Sequence, residues 1–464
     1  MTGERGRLLA PIFTTDELLA ATSDDAWLRA ILDVEVALAE VQADAGVIPP
    51  VAAQAIAAAA GRVPSSATTA TVVATTVDAT FDLAALGEAA RLGGNPVIPV
   101  VAALTDLVGD DHGAWVHWGA TSQDVLDTAL SLVLRRGVRL VDADLGRAAD
   151  ACARLAEEHR RTLMTGRTLL QPSLPVTFGL TAAGWLVGLL DARAHLRLAD
   201  SHLAVQLGGA SGTLASLGEH GPSVVAALAT RLDLEEPLLP WHTARQRTVG
   251  LATSLGIAAG SAGKIAADVA LLMQAEVGEV AEPAAPGRGA SSAMPQKRNP
   301  VLAAEALAAA RRAHALVPVA LQSLVAEHQR PLFGWHAEWS SIGELLALAG
   351  GAAARTREIV EGLTVDVDRM AANLDAVPGL LSERLTLALS PGLGRERARR
   401  LVTEAVQRST NEDVTLERAL LDQPDIAGAV DAGELASWLD PAGYLGAADV
   451  FIDRALAAHR EGRT

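Results

Sequence analysis

Apolar positions along this chain recur at spacings of three and four, the period of a helix with one face turned inward. Trp27, Ile31, Val34, Leu38 and Val41 set that stripe between Asp24 and Ala45, and Gly46 with Pro49–Pro50 ends it. Residues 51–108 carry shorter helical patterns, broken at Gly61–Ser66 and at Gly93-Gly94-Asn95-Pro96. No proline interrupts 123–159, where Leu126, Leu130, Val133, Val138, Val141, Leu145, Ala149, Cys152 and Leu155 continue one stripe. That predicts a single helix roughly 50 Å long at 1.5 Å per residue. Further long helices are predicted from Pro175 to about Val205, from Arg247 to Glu279 and from Asn299 to about Val325. Beyond about residue 355 the pattern shortens to helices near 356–362, 366–373, 380–389, 395–407 and 411–421, separated by Pro378-Gly379, Pro391-Gly392 and Asn411. No alternation is strong enough to predict a sheet, and no internal repeat stands out.

The expected fold class is therefore all-α, in three helical domains: 1–110, a central long-helix bundle at 111–355, and a small domain at 356–464. Segments such as 258–273, AAGSAGKIAADVALLM, offer small or apolar residues all round. Such a helix is normally buried on every side, which predicts packing against partner subunits in a homo-oligomer.

Composition adds limits. The 464 residues are 50% hydrophobic and 20% charged, a globular balance, with 3% aromatic residues. Alanine and leucine, both strong helix formers, fill the apolar positions. The net charge of −17 argues against nucleic acid and anionic membranes as partners, so an anionic substrate needs a locally basic pocket. The one cysteine, Cys152, excludes an intramolecular disulfide and a cysteine-rich metal site, and its place in the stripe predicts a buried thiol. The start, MTGERGRLLAPIF, lacks a signal-peptide core. Charges such as Lys264 and Asp268 interrupt the longest apolar runs, so no membrane span is expected, and a cytoplasmic location follows.

Several polar clusters could carry chemistry. Gly289–Pro300 reads GASSAMPQKRNP, a small-residue loop between two long helices, with Ser291 and Ser292 a few residues from Lys297, Arg298 and Asn299. It is either a capped surface linker or a closing loop whose serine loses a proton near cations. In the second case the next helix's free N–H groups would help hold a carboxylate. His117 with Thr121 and Ser122, in HWGATSQD, precedes the longest helix; the hydroxyls can cap it or bind a carboxylate at its positive end. Arg167 and Gln171 lie in GRTLLQP, where the arginine is either a two-donor carboxylate clamp or a structural tie. GGASGT at 208–213 fits neither phosphate-loop spacing nor a dinucleotide fingerprint and reads as a turn. His242, in WHTARQR, and Arg330, in EHQR, are further possible site residues. His328 and His336 are not spaced as a metal pair across Pro331.

Taken together, SSAMPQKRNP, HWGATSQDVLDT, GRTLLQPSLPVTFG and GGASGTLASLG resemble the signature regions of the fumarase/aspartase/adenylosuccinate lyase superfamily, in the expected order across about residues 10–390. GNPVIPVVAAL, LPWHTARQR and LLMQAEVGEVAEP are similar to the bacterial carboxymuconate cycloisomerase branch. The resemblance implies a tetramer joined through its long-helix bundles, with active sites shared between subunits and no metal, nucleotide or other cofactor. It implies proton transfer next to a carboxylate through an aci-carboxylate, with Ser292 as the catalytic serine. His117, Thr121, Ser122, Arg167, Gln171, Lys297 and Asn299 would hold a small polycarboxylate, with Ser291, His242, Arg298 and Arg330 as further possibilities. Many members carry histidine in the second region where this chain has Leu169, and cycloisomerases commonly have an apolar residue there. Pro172 stands where those cycloisomerases often have histidine. The implied reaction is lactonisation of 3-carboxy-cis,cis-muconate in protocatechuate (β-ketoadipate) catabolism. The rivals are an adenylosuccinate-like elimination releasing fumarate and a non-enzymatic helical scaffold.

Overall fold

The stripe from Trp27 becomes the helix Asp24–Asp44. The Ser23 hydroxyl opens it by accepting from Ala26 N at 3.1 Å, and Asp24 and Asp25 sit in the first turn, where the helix dipole favours negative charge. This computed structural model describes residues 8–61, 81–290, 294, 297–412 and 414–462. The predicted long helices are present as Ser122–Glu158, Phe178–Ser201, Gln246–Leu272 and Val301–Gln322. Pro50–Ala59, Leu83–Gly93 and Val97–Val108 fill the earlier region. Helices dominate the chain. Cys152 is buried, and burial pushes its thiol up to about 12, against a small opposing effect of Arg154, so it is inert packing. One helix among the described residues, Gln246–Leu272, is long and apolar enough to cross a membrane, and 56% of its most apolar window is buried within the chain.

Three expectations need correction. First, Leu163–Thr168 and Gln171–Thr177 form an antiparallel hairpin, so the helix expected from Pro175 starts at Phe178. Pro172 and Pro175 lack the N–H a helix interior requires, and a two-stranded ribbon tolerates them. A second, shorter pair joins Val280–Ala281 to Thr364–Val365. Second, the short helix near 356–362 is the end of a 28-residue helix, Gly334–Glu361. Its glycines look like breakers but serve close packing. A Cβ on Gly350 would lie 2.3 Å from Leu18 Cδ1, and one on Gly351 would lie 1.9 Å from the Phe13 carbonyl oxygen. Third, Pro391 lies inside the last turn of Ser382–Leu393, and Asn411 inside Arg395–Glu412; Gly394, at φ +77°, makes the break instead.

By its contacts the chain divides into two compact units, Met1–Leu145 with Ala192–Gly263 and Glu305–Arg355, and Gly146–Asp191 with Lys264–Ala304 and Thr356–Thr464. The first unit encloses a charged cluster. Arg245 is fully buried and donates to Asp127 at 2.7 and 3.0 Å and to Glu338 at 2.5 and 3.2 Å. Trp335 Nε1 and Gln123 Nε2 add donors to Asp127 at 2.9 and 3.1 Å. Burial opposes the guanidinium charge, but the two carboxylates outweigh it and hold Arg245 protonated. The second unit contains an apolar cluster of Leu385, Leu389, Val402, Leu420, Ile426 and Leu435, and an edge-to-face run of His159, Phe178 and Trp185.

The glycine packing is testable. Gly351→Ala should cost about 1–3 kcal/mol through overpacking against backbone, read as a lower melting temperature. On the same helix, a Cβ on Gly343 meets nothing within 4 Å. Gly343→Ala should leave stability unchanged or raise it, by up to ~1 kcal/mol.

Candidate active site

In the first unit, the loop before Ser122–Glu158 is shaped by two left-handed residues, His117 at φ +59° and Gly119 at φ +75°. A Cβ on Gly119 would approach Leu217 Cδ2 to 2.7 Å, so glycine is required there for space as well as conformation. Gln42 Nε2 donates to the Trp118 carbonyl at 2.7 Å and fixes the loop from below.

The loop is anchored at Asp124, which is 1% exposed. Oδ2 accepts from Thr121 N at 3.0 Å and Gly209 N at 2.9 Å. Oδ1 accepts from Gly208 N at 2.9 Å and lies 2.7 Å from His242 Nε2. One carboxylate thus joins three of the segments read from sequence: HWGATSQD, the glycine turn, and WHTARQR. A Cβ on Gly208 would come within 2.8 Å of His242 Cε1, so the turn can close on the ring only with glycine there. His242 is 3% exposed, and through Nε2 it ties its own segment to the loop.

What this arrangement presents is a helix start with open donors. Among the described residues, the backbone N–H groups of Ser122 and Gln123 have no acceptor, and the Thr121 side chain has no partner. Ser122 Oγ accepts from Asn95 Nδ2 at 3.1 Å, which leaves its O–H to donate. Asn95 is held in turn by Val97 N at 2.9 Å. Such a start suits a carboxylate. His117 Nδ1 lies 2.6 Å from Glu35 Oε1. Burial alone would lower the His117 pKa, but the Glu35 charge and hydrogen bond, with the Asp124 charge, outweigh it and raise the value above the ordinary one. Arg330 Nη2 donates to the Ala210 carbonyl of the glycine turn at 2.9 Å.

The remaining candidates lie in the second unit. Arg167 makes a two-donor bond to Glu279, at 2.7 and 2.9 Å, and Glu279 is fully buried and also accepts from Asn373 at 2.8 Å. This geometry is that of the structural tie. Gln171 is exposed beside the hairpin tip, where Leu169 and Leu170 adopt φ +51° and +65°. Asn299 closes the neck of the serine loop: its N and Nδ2 donate to the Gly289 carbonyl at 3.1 and 3.2 Å. Lys297 and Arg298 are exposed on that neck. Ser291 and Ser292 lie outside the described residues. The expected free N–H groups at the next helix are not free. Leu302 N and Ala303 N donate to the Glu282 carboxylate at 3.1 and 2.7 Å. Burial raises the Glu282 pKa despite those bonds.

Sequence reasoning missed Asn95, Glu35 and the anchoring role of Asp124. Asn95 had been read only as part of a helix break. Glu35 carried a signal, since it is a carboxylate placed between Ile31 and Leu38 on the buried stripe.

Arg167→Met strands the buried Glu279 carboxylate and should cost about 3–5 kcal/mol in thermal unfolding. A substrate clamp would instead raise KM at unchanged melting temperature.

Residues 12–314 match a family described as lyase, and residues 378–455 match the adenylosuccinate lyase C-terminus. The chain is 44% identical to a 3-carboxy-cis,cis-muconate cycloisomerase of Bradyrhizobium diazoefficiens, over 97% of each chain. It is 43% identical to a nitrosuccinate lyase of Streptomyces davaonensis, over 97% of this chain and 94% of that one. The crystal structure of a 3-carboxy-cis,cis-muconate lactonizing enzyme from Pseudomonas putida matches with a TM-score of 0.89 at 40% identity, covering 99% of this chain and all of that one. With matches over nearly the whole length, the chain belongs to the lyase family that includes the 3-carboxy-cis,cis-muconate cycloisomerases.

Proposed function

We propose that the protein is a 3-carboxy-cis,cis-muconate cycloisomerase, interconverting that diene with 4-carboxymuconolactone in aromatic catabolism. The observation that carries this is the likeness to cycloisomerases in sequence and structure over nearly the whole length of the chain. The hairpin tip supports it. Leucine transfers no proton, and Leu169 is 97% exposed there. Lactonisation needs no proton donor at that position, because the attacking group is a carboxylate already ionised and in reverse it leaves as a weakly basic anion.

One substrate carboxylate adds across a double bond, forming a C–O bond and pushing the electron pair onto the carbon beside a second carboxylate. Thr121, Ser122, the amides at that helix start, Lys297 and Asn299 receive the charge as it spreads into the aci-carboxylate. Ser292 gives the carbon its proton and takes one back from solvent, so the ionised diene gains one proton as one carboxylate becomes the lactone ester; as acids the two are isomers. The same reading makes the protein a cytoplasmic homotetramer of three-domain chains, divided near residues 110 and 355, with active sites shared between subunits. Its support is the apolar surface left on the single chain, Leu238 at 99% exposed and Leu169 among it.

The nitrosuccinate lyase relative, at nearly equal identity, favours a second reading in which the same carbanion expels a group from a succinate. An ultraviolet assay separates the two. Purified enzyme should consume the conjugated diene and yield lactone, and faster turnover of nitrosuccinate with no lactone at micromolar enzyme would reverse the assignment. Ser292→Ala should cut kcat by ~10²–10⁴-fold at unchanged melting temperature.

A further inference from the structure

The helix Asp24–Asp44 holds none of the motif residues read from sequence, yet three polar side chains, Asp33, Glu35 and Gln42, are buried on it. Glu35 and Gln42, two turns apart on one face, both reach the loop before Ser122: Glu35 to the His117 ring and Gln42 to the Trp118 carbonyl. His117 is held at φ +59°, a conformation that costs a residue with a Cβ some stability and persists where its surroundings enforce it. Glu35 is 1% exposed and, among the described residues, faces no lysine or arginine; its second oxygen, Oε2, is buried without a partner. A carboxylate so placed needs a counter-charge, and the imidazole is the group available to supply it. With Nδ1 taken, Nε2 is the ring nitrogen left, on a side chain 19% exposed.

We propose that Glu35 is a positioning residue that holds His117 as an imidazolium, so that Nε2–H is offered to a substrate carboxylate on the loop that also carries Thr121 and Ser122. The inference deepens the reading of the protein as an enzyme for a polycarboxylate and rests on it. The charged groups facing the ring are Glu35 and Asp124, and both raise its pKa against burial, the largest opposing effect. Below that raised pKa the cation is present and binds carboxylate; as pH climbs through it the ring becomes neutral and affinity falls. Loss of the Glu35 charge moves that fall to lower pH.

The test uses the full-length protein with Glu35→Gln, which keeps a hydrogen-bond acceptor and removes the charge, and Glu35→Asp, which keeps the charge. KM and kcat for the diene are measured from pH 5.5 to 8.5, with the affinity for tricarballylate, an unreactive tricarboxylate. At pH 5.5 the Glu35→Gln KM should lie within about twofold of wild type, and at pH 8 it should be ~10-fold higher, one unit of pKa being tenfold. kcat should change little, Glu35→Asp should follow wild type, and tricarballylate affinity should repeat the pattern. Parallel pH profiles for Glu35→Gln and wild type, or no tricarballylate binding to wild type, would overturn the proposal. Were the diene not turned over, the functional reading would fall, and the tricarballylate profiles would still decide the role of Glu35. Should Glu35→Gln not fold, His117→Gln takes its place. It must weaken binding at pH 5.5 and have less effect at 8.5, and a pH-independent loss overturns the idea.

Discussion

The Asp124 carboxylate sits under the first turn of the helix Ser122–Glu158 with no lysine or arginine bonded to it among the described residues. Its burial is tolerable only because three backbone N–H groups and an imidazole converge on its two oxygens. Those donors come from different stretches of chain: Thr121, the Gly208-Gly209 turn and His242. None can be withdrawn without leaving charge buried and under-bonded, so the segments fix one another's positions. Gln123, one residue earlier, spans from the His242 carbonyl to Asp127, and Asp127 passes the constraint to Arg245, Glu338 and Trp335. A few residues near one helix start therefore set both the loop above and the core below.

This use of charge matters in a protein with a net charge of −17. Its arginines are largely committed to internal carboxylates: Arg245 to Asp127 and Glu338, Arg167 to Glu279, Arg288 to Glu358. What remains to attract a polyanion is local. His117 is held toward its cationic form, Lys297 and Arg298 are exposed on the serine-loop neck, and the amides of Ser122 and Gln123 have no acceptor among the described residues. Fixed donors of this sort need little reorganisation as charge develops, which favours an intermediate whose negative charge spreads over a carboxylate.

The helices were legible because the core selects for period: Ile31, Val34 and Leu38, or Val133, Val138 and Val141, are all buried where the stripe put them. The Gly334–Glu361 helix was not, because Gly350 and Gly351 are there for space that a distant segment occupies, and no local pattern records a tertiary approach. The hairpin was missed for a related reason. Its alternation is short, and its turn uses Leu169 and Leu170 at positive φ, where glycine or asparagine would have signalled it. Residue types singled out Thr121, Ser122 and Asn299 as candidates, but the partners of Arg167 and His242 are Glu279 and Asp124, each more than a hundred residues away.

The two helix starts that looked alike in sequence have been put to different uses. At Ser122–Glu158 the amides of Ser122 and Gln123 have no acceptor among the described residues, while Asp124 turns toward Thr121 N and the glycine turn. At Val301–Gln322, Glu282 lies across the amides of Leu302 and Ala303 and takes the place a ligand carboxylate would occupy. The first start thus keeps backbone donors beside the Thr121 and Ser122 hydroxyls, and at the second the exposed positive charge is carried by the Lys297 and Arg298 side chains. Backbone donors are fixed in direction, whereas a lysine on a loop neck can follow a moving charge.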